Sequence, residues 1–166
     1  MFGADGISVV PISATILLDF LPSIIEVASA AETASRDNPA TTGIPTYDVS
    51  KGAWLPSTGS GLYATLDETP YSDADYMYSL AAGSTCQIDL SETAYPPSST
   101  VILKYRAMAN GANGGLTVTL KQGGTTIASW SHSVASTMTE YQQTLTAPQI
   151  AAMVAGHVSV VFLSTA

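Results

Sequence analysis

The chain has 166 residues, 46% of them apolar and only 11% charged, with 13 acidic side chains against 5 basic ones and a net charge of −8. This length predicts one domain with enough apolar residues for a hydrophobic core. Acidic residues are in excess, and Lys and Arg form no cluster in the sequence. This excludes sequence-independent binding to nucleic acid, because such binding needs a basic surface.

Residues 1–40 are predicted to form an apolar N-terminal arm. Its apolar run is broken by Pro11, Asp19, Pro22 and Glu26, so it falls short of the roughly 20 uninterrupted residues of a membrane span. Pro22 suits the first turn of a short helix over residues 22–36, and "DNPATTGIP" (37–45) is a linker. An apolar arm must be covered by its own body or by another subunit, and we expect docking on a neighbouring subunit. The docking residues would be Ile7, Val9, Val10, Ile12, Ile16, Leu17, Leu18, Phe20, Leu21, Ile24 and Ile25.

Residues 45–166 are predicted to be an all-β body that folds without the arm. About eight short segments rich in β-branched and aromatic residues, separated by Gly, Asn and Pro, indicate an antiparallel β-sandwich or jelly roll. The segments are "GLYATLD", "DYMYSL", "CQIDLS", "TVILKYRAM", "GLTVTLKQ", "TTIASWSHS", "TEYQQTLT" and "HVSVVFLST". One short helix is predicted in "LTAPQIAAMVAG", with Thr146 as N-cap, Pro148 in the first turn and Gly156 at its end.

The clearest hairpin is "GLTVTLKQGGTTIASWS", with Gly123 and Gly124 as a two-residue type I′ turn. A regular ladder would pair Leu120 with Ile127, and Val118 with Ser129. Trp130 and His132 would then lie on the face opposite the core. Either a β-bulge turns Trp130 inward, or the arm or another subunit covers it, or the ring stacks on a ligand.

The segment "TLDETPYSDADYMYS" (65–79) concentrates carboxylates beside tyrosines. It lacks the ligand spacing of an EF-hand, so no metal is expected, and Asp67, Asp73 and Asp75 are only weak calcium candidates. We interpret the acids as a solvated loop whose oxygens accept local backbone N–H bonds. Tyr76 and Tyr78 would share one face of a strand and belong to the core or to a subunit interface, with a sugar-stacking ledge as the alternative.

The single cysteine, Cys86, allows no intrachain disulfide and is predicted to be a small buried residue. The two histidines, His132 and His157, are too few for a three-histidine zinc site. Ser129, Ser131 and Ser133 flank His132 but lack a nucleophile elbow. We expect no cofactor and no enzymatic activity.

The body resembles the small jelly-roll module, akin to galactose-binding-like sandwiches, of virion proteins from tailed bacteriophages. The resemblance covers about residues 47–164 and is carried by "YDVSKGAWLPSTGSGLYATLDE", "DADYMYS", "CQIDLS", "VILKYRAMANG", "LTVTLKQGGTTIASWSHS" and "EYQQTLTAPQIAAM". It implies a virion protein that decorates or joins capsid, connector or tail subunits, and it implies no catalytic residues. A homo-oligomer is expected, because virion subunits assemble symmetrically.

Two other functions are open at this stage. A carbohydrate-binding adhesion module would use Trp130, His132, Tyr76 or Tyr78 as glycan contacts. An acid-based hydrolase would rest on the carboxylates of residues 67–75 alone, although sequence neighbours on one loop seldom span a glycosidic bond.

Overall fold

The computed structural model describes residues 24–34, 42–43, 45–66, 75–90, 101–110, 114–154 and 156–165, with backbone alone for 24–34, 42–43 and Asn110. The described strands are β1 Ile24–Ala34, β2 Thr42–Gly43, β3 Pro45–Ser50, β4 Trp54–Pro56, β5 Met77–Ser79, β6 Thr85–Leu90, β7 Val101–Asn110, β8 Gly114–Gln122, β9 Thr125–Val134, β10 Thr139–Thr144 and β11 Val158–Thr165. A 3-10 turn covers Tyr63–Thr65, and the helix α1 covers Ala147–Ala151.

These strands form two antiparallel sheets. The first sheet, sheet A, has the order β10-β7-β1-β5-β4, with β2 beside β1; the second, sheet B, has the order β3-β6-β11-β8-β9. The pairs β8–β9, β7–β10 and β6–β11 are nested around the β8–β9 hairpin, which is the strand arrangement of a jelly roll. The predicted fold class, an antiparallel β-sandwich with one short helix, is confirmed.

The core lies between the sheets because the strands alternate apolar side chains inward and more polar ones outward. In β7, Leu103 and Tyr105 are fully buried, whereas Lys104 and Arg106 are half-exposed. Phe162 of β11 lies near the centre, with its ring 6.3 Å from both the Trp54 and the Tyr105 ring. Both sheets therefore contribute large side chains to one core.

The helix predicted over residues 22–36 is wrong, because Ile24–Ala34 form a strand, β1. This strand is hydrogen-bonded on both sides, to β7 along its length and to β5 near its start. Pairing of both edges satisfies the backbone groups, so tertiary context overrides the helical spacing of the apolar residues. The arm residues Ile24 and Ile25 thus belong to sheet A of the body, and Ile7 through Leu21 lie outside the described residues.

The segment "GLYATLD" is also not a strand, since its described part turns into the 3-10 helix at residues 63–65. The Asp48 carboxylate accepts the backbone N–H of Leu62 at 2.8 Å and of Tyr63 at 2.7 Å. Lys51 adds an ion pair to Asp48 at 3.3 Å. These bonds from β3 hold the loop in a turn, and they come from a strand that the sequence did not predict.

The predicted helix near the C-terminal end is confirmed in place but is shorter than expected. Thr146 is its N-cap, and the Gln149 side chain accepts the Thr146 backbone N–H at 2.7 Å, as in a capping box. The helix ends at Ala152, before Gly156, so it spans little more than one turn.

Candidate functional site

A β-bulge in β9 decides which side chains face the core. Lys121 pairs with Thr126, but the next pair is Leu120 with Ala128, so Ile127 is the extra residue. Both Ile127 and Ala128 are buried, at 8% and 4% exposure, because the bulge turns two consecutive side chains of this edge strand towards the core. The predicted register is wrong by one residue beyond this point, because the bulge shifts the ladder.

The shifted register places Trp130 opposite Val118, and it therefore faces inward with the core residues of β8. Of the three explanations for the position of Trp130, the structure supports the first, a β-bulge that turns the ring inward. In the hairpin turn Gly123 has φ 56° while Gly124 lies outside the left-handed region, which is the pattern of a type II′ turn and not of the predicted type I′.

The serines of β9 take the outer face that a regular ladder would have given to Trp130 and His132. The Ser129 and Thr119 hydroxyl oxygens lie 2.8 Å apart, and those of Ser131 and Thr117 lie 2.9 Å apart. These serines bond to threonines of the neighbouring strand, a pairing that stabilises sheets and carries no nucleophilic chemistry.

The open side of the sandwich lies between β9 and β10. Within the described strands, β9 pairs with β8 alone and β10 pairs with β7 alone, so each is an edge strand. Side chains from both edges and from β7 meet there in one group, which we call the edge cluster. The edge cluster consists of Tyr105, His132, Tyr141 and Gln143. Trp130 lies on the same face of β9 as His132 and packs against the core.

Ring contacts and hydrogen bonds join the two sheets through His132. The Tyr105 hydroxyl lies 2.5 Å from Nε2 of His132, and Nε2 of Gln143 lies 3.4 Å from the same atom. The Tyr141 ring stacks on Tyr105 at 5.5 Å and 18°, and its centroid is 4.4 Å from that of His132. Tyr141 and Tyr105 are directly paired across β10 and β7, which accounts for their stacking.

Burial keeps the titratable members of the edge cluster uncharged at neutral pH. It raises the pKa of Tyr105 well above its usual value, opposed by a hydrogen bond from Gln143 and assisted by nearby Tyr141. Burial also raises the pKa of Tyr141 and lowers the pKa of His132. Because the amide nitrogen of Gln143 can only donate, its approach to Nε2 assigns this atom of neutral His132 as the acceptor, with the ring proton on Nδ1.

The other two predicted contact residues lie elsewhere, on the outer face of sheet A. Met77 is fully buried, and Tyr76 and Tyr78 share the opposite face, as predicted, with ring centroids 6.0 Å apart. Met138 packs against the pair, and Tyr76 is only 8% exposed. The structure therefore places Trp130 and His132 on the same inward face of β9, and it brings Tyr76 and Tyr78 together in a separate cluster.

Asp75 is the only described member of the predicted calcium candidates; Asp67 and Asp73 lie outside the described residues. Its Oδ1 accepts hydrogen bonds from the hydroxyls of Ser57 at 3.0 Å and Thr58 at 2.5 Å. The acceptor role in a loop was expected, but the donors are side-chain hydroxyls from a distant turn. Across the described residues no group of three or more His, Cys, Asp or Glu side chains is placed to hold a metal ion.

Cys86 is fully buried, as predicted, and burial raises the pKa of its thiol. Its sulfur lies 3.9 Å from that of Met77 inside the core. A buried thiol with a raised pKa is a packing residue and a poor nucleophile.

Sequence reasoning missed Tyr105, Tyr141 and Gln143 as members of the site. Alternation along "VILKYRAM" does place Tyr105 on the inner face, but nothing local pairs it with Tyr141 or brings either tyrosine to His132. Those contacts depend on the β7–β10 register and on the packing of the two sheets, which only the fold supplies.

The described residues define an antiparallel β-sandwich of jelly-roll type with a half-buried aromatic cluster at one open edge. Comparisons of the chain with protein-family models, with curated proteins and with solved structures found no match. Among the helices in the described part of the chain, none is long and apolar enough to span a membrane.

Proposed function

We propose that the protein is a non-enzymatic structural component of a bacteriophage virion, held in the particle through its apolar N-terminal residues. The proposal extends the resemblance of the body to virion jelly-roll modules. Its partners would be capsid, connector or tail subunits, and copies of the chain would assemble symmetrically.

The observation that carries this proposal is the position of β1. The apolar residues Ile7 to Leu21 precede, by only two residues, a strand that is hydrogen-bonded to β5 and β7 in the interior of sheet A. A segment docked on a neighbouring subunit would therefore be continuous with a strand held on both edges. Pulling such a strand out requires breaking two ladders together, which suits a mechanical attachment.

The low charge of the chain agrees with a protein that is surrounded by other protein. Only 11% of the residues are charged, against roughly a quarter in a typical soluble domain. Exposed apolar side chains on the described surface include Tyr47 and Val49 on β3, an edge strand of sheet B, and Leu55 on β4, an edge strand of sheet A. Scattered exposed apolar residues are ordinary on monomers, so they support lateral contacts only together with the apolar N-terminal residues.

The position of β1 also fixes where the chain must be cut in the test. A chain of residues 41–166 would lack β1, which would leave one edge of β5 and one edge of β7 without a partner and split sheet A in two, and we expect it to lose the fold. A chain of residues 22–166 keeps β1 and removes the apolar segment. We expect it to fold like the full chain by circular dichroism and thermal unfolding.

The assembly role is tested by sizing chromatography with light scattering on the full chain and on residues 22–166. We expect larger assemblies from the full chain and one smaller species from the truncated chain. Equal masses for two folded chains would overturn the attachment role. Particle membership is tested separately, by peptide mass spectrometry of purified phage particles whose genome encodes the chain; its absence from them would overturn the virion assignment.

A further inference from the structure

The edge of sheet B at β9 lacks most of the features that keep sheet edges from pairing with other chains. Edge strands present unpaired backbone N–H and C=O groups, and proteins protect them with charged residues, proline, bulges or short length. β4 has three residues and includes Pro56, β3 begins at Pro45 and has two register shifts, and β10 has the exposed Glu140 among its six residues. β9 has ten residues and contains no charged residue and no proline. Of the four strands that end the two described sheets, β9 is therefore the least protected.

The bulge of β9 lies near its start and leaves most of the edge regular. After Ile127, seven consecutive residues, 128–134, pair with β8 without a further register shift. Among the described strands, β9 has a neighbour on the β8 side only, so its other side is open. The N–H and C=O groups of alternate residues point to that open side, where they form a template for one further antiparallel strand.

The charge of the chain favours this edge as a contact between two of its own copies. Each copy has a net charge of −8, so two copies repel each other wherever their contact brings carboxylates together. Residues 128–134 bring none, and their exposed side chains are Ser129, Ser131 and Ser133, which are small enough for a second strand to approach closely. A pair of copies joined at β9 thus avoids the main cost of association for an acidic protein.

The sequence of residues 128–134 is also complementary to itself in the antiparallel direction. Ser131 is the central residue, and a two-fold axis through it, perpendicular to the sheet, would pair the whole regular segment with its copy. Serine would then face serine on the outer surface, and an indole would face an imidazole on the inner surface; both kinds of cross-strand pair stabilise sheets. The opposed residues of the two copies would be Ser129 and Ser133, Trp130 and His132, and Ala128 and Val134.

We propose that two copies of the chain pair through residues 128–134 of β9, which joins their two sheets B into one continuous sheet. Trp130 and His132, which are half-buried in one copy, would be covered by the second copy at this edge. The pairing supplies the self-complementary contact that a two-fold assembly needs, and its role in a particle rests on the proposed function.

The pairing is tested on the full chain by disulfide cross-linking at the two-fold axis. Ser131 would lie directly opposite its own copy, with Cβ atoms about 4.5–5.5 Å apart, so Ser131→Cys is placed to form a disulfide between two copies. The native Cys86 is fully buried and gives no background. Ser50→Cys is the matched control, because Ser50 is an exposed serine on β3, the other edge strand of sheet B. The readout is non-reducing denaturing electrophoresis after oxidation with copper phenanthroline in air.

We expect a cross-linked pair from Ser131→Cys and little from Ser50→Cys. No cross-link at residue 131, or equal cross-linking at the two positions, would overturn the proposal.

A charge swap at the same position supplies a second test by sedimentation velocity. Ser131→Lys alone, or Ser131→Asp alone, opposes like charges at the axis and should weaken pairing about fivefold or more, whereas a mixture of the two variants opposes unlike charges and should restore it. Recovery in the mixture also shows that each variant is folded. Pairing that neither variant weakens would refute the β9 interface.

The result is separate from the test of the N-terminal attachment, because the variants at residue 131 keep the N-terminal residues. Cross-linking at residue 131 together with equal masses of the full chain and residues 22–166 would support the β9 pair and overturn the attachment role. A smaller mass for residues 22–166 without cross-linking at residue 131 would do the reverse.

Discussion

The hydrogen bond between Tyr105 and His132 gives a direct test of the cross-sheet contact at the edge. Tyr105→Phe removes one hydroxyl and leaves the ring, its stacking on Tyr141 and its edge contact with Phe162. A hydrogen bond of this kind contributes about 0.5–1.5 kcal/mol, and leaving a buried acceptor unsatisfied costs about 1–3 kcal/mol. In the variant, Gln143 still lies 3.4 Å from His132 Nε2 and can donate to it, so this acceptor keeps a partner. We therefore expect the free energy of unfolding to fall by about 1 kcal/mol.

The assay is equilibrium unfolding in urea, supported by thermal unfolding. For a chain of this size a loss of 1 kcal/mol lowers Tm by roughly 2–4 °C. The slope of the free energy of unfolding against urea should not change, since the variant exposes the same surface. Tyr63→Phe is the matched control. Tyr63 also packs against the core, but its hydroxyl has no hydrogen bond within the described structure. Removing this hydroxyl should change the free energy of unfolding by no more than about 0.5 kcal/mol.

A double-mutant cycle with Gln143→Ala separates the two donors at His132. If both donate to Nε2, the double variant should lose more than the two single losses added together, because only then is the acceptor left without a donor. Equal stability of Tyr105→Phe and the parent chain would refute the cross-sheet hydrogen bond. A loss far above 3 kcal/mol would instead mean that the substitution disturbs the packing of the core.

Two further predictions follow from the same contacts. Burial lowers the pKa of His132 in the folded state, so on acidification the histidine is protonated in the unfolded chain before it is protonated in the folded one. The free energy of unfolding should therefore fall as the pH drops below about 6.5. Urea unfolding between pH 8 and 5.5 should show this component in the parent chain and lack it in His132→Gln; identical pH profiles would contradict it. Asp48→Ala should cost about 1–2 kcal/mol and speed hydrogen exchange at the amides of Leu62 and Tyr63, whereas Asp89→Ala on the neighbouring strand should do neither.

The sequence predicted the parts of the fold that depend on local alternation. β7 and β8 alternate apolar and polar residues over nine or ten positions, and both were predicted because the period of two is a property of the strand itself. β3 was missed because its residues do not alternate between apolar and polar, and β4 was missed because it has only three residues between Gly52 and the turn that follows Pro56. β1 was mistaken for a helix because Pro22 suits a first helical turn and the apolar residues after it have helical spacing, whereas the strand is determined by its pairing with β5 and β7.

The same reasoning explains why the body could not be separated from the arm by sequence alone. In a jelly roll the strand between β5 and β7 is normally supplied by the end of the chain, but here the place is taken by β1, from near its start. A boundary drawn at Pro39 and Gly43 follows the composition, since both residues break regular structure. This boundary does not separate two structural units, because two antiparallel ladders connect residues 24–34 to the body.

The edge cluster could not be predicted from the sequence because it depends on one extra residue. Without the bulge at Ile127, the ladder of β8 and β9 would turn Trp130 and His132 to the outer face and three serines into the core. With the bulge, the hydroxyls of Ser129 and Ser131 meet threonines outside, while the His132 ring meets Tyr105 and Trp130 packs against the core. A regular ladder would bury serine hydroxyls without partners and expose a tryptophan. Both changes cost free energy, so the bulged ladder is the more stable of the two. The residue that creates the cluster, Ile127, is therefore not a member of it and has no local sequence signal of its own.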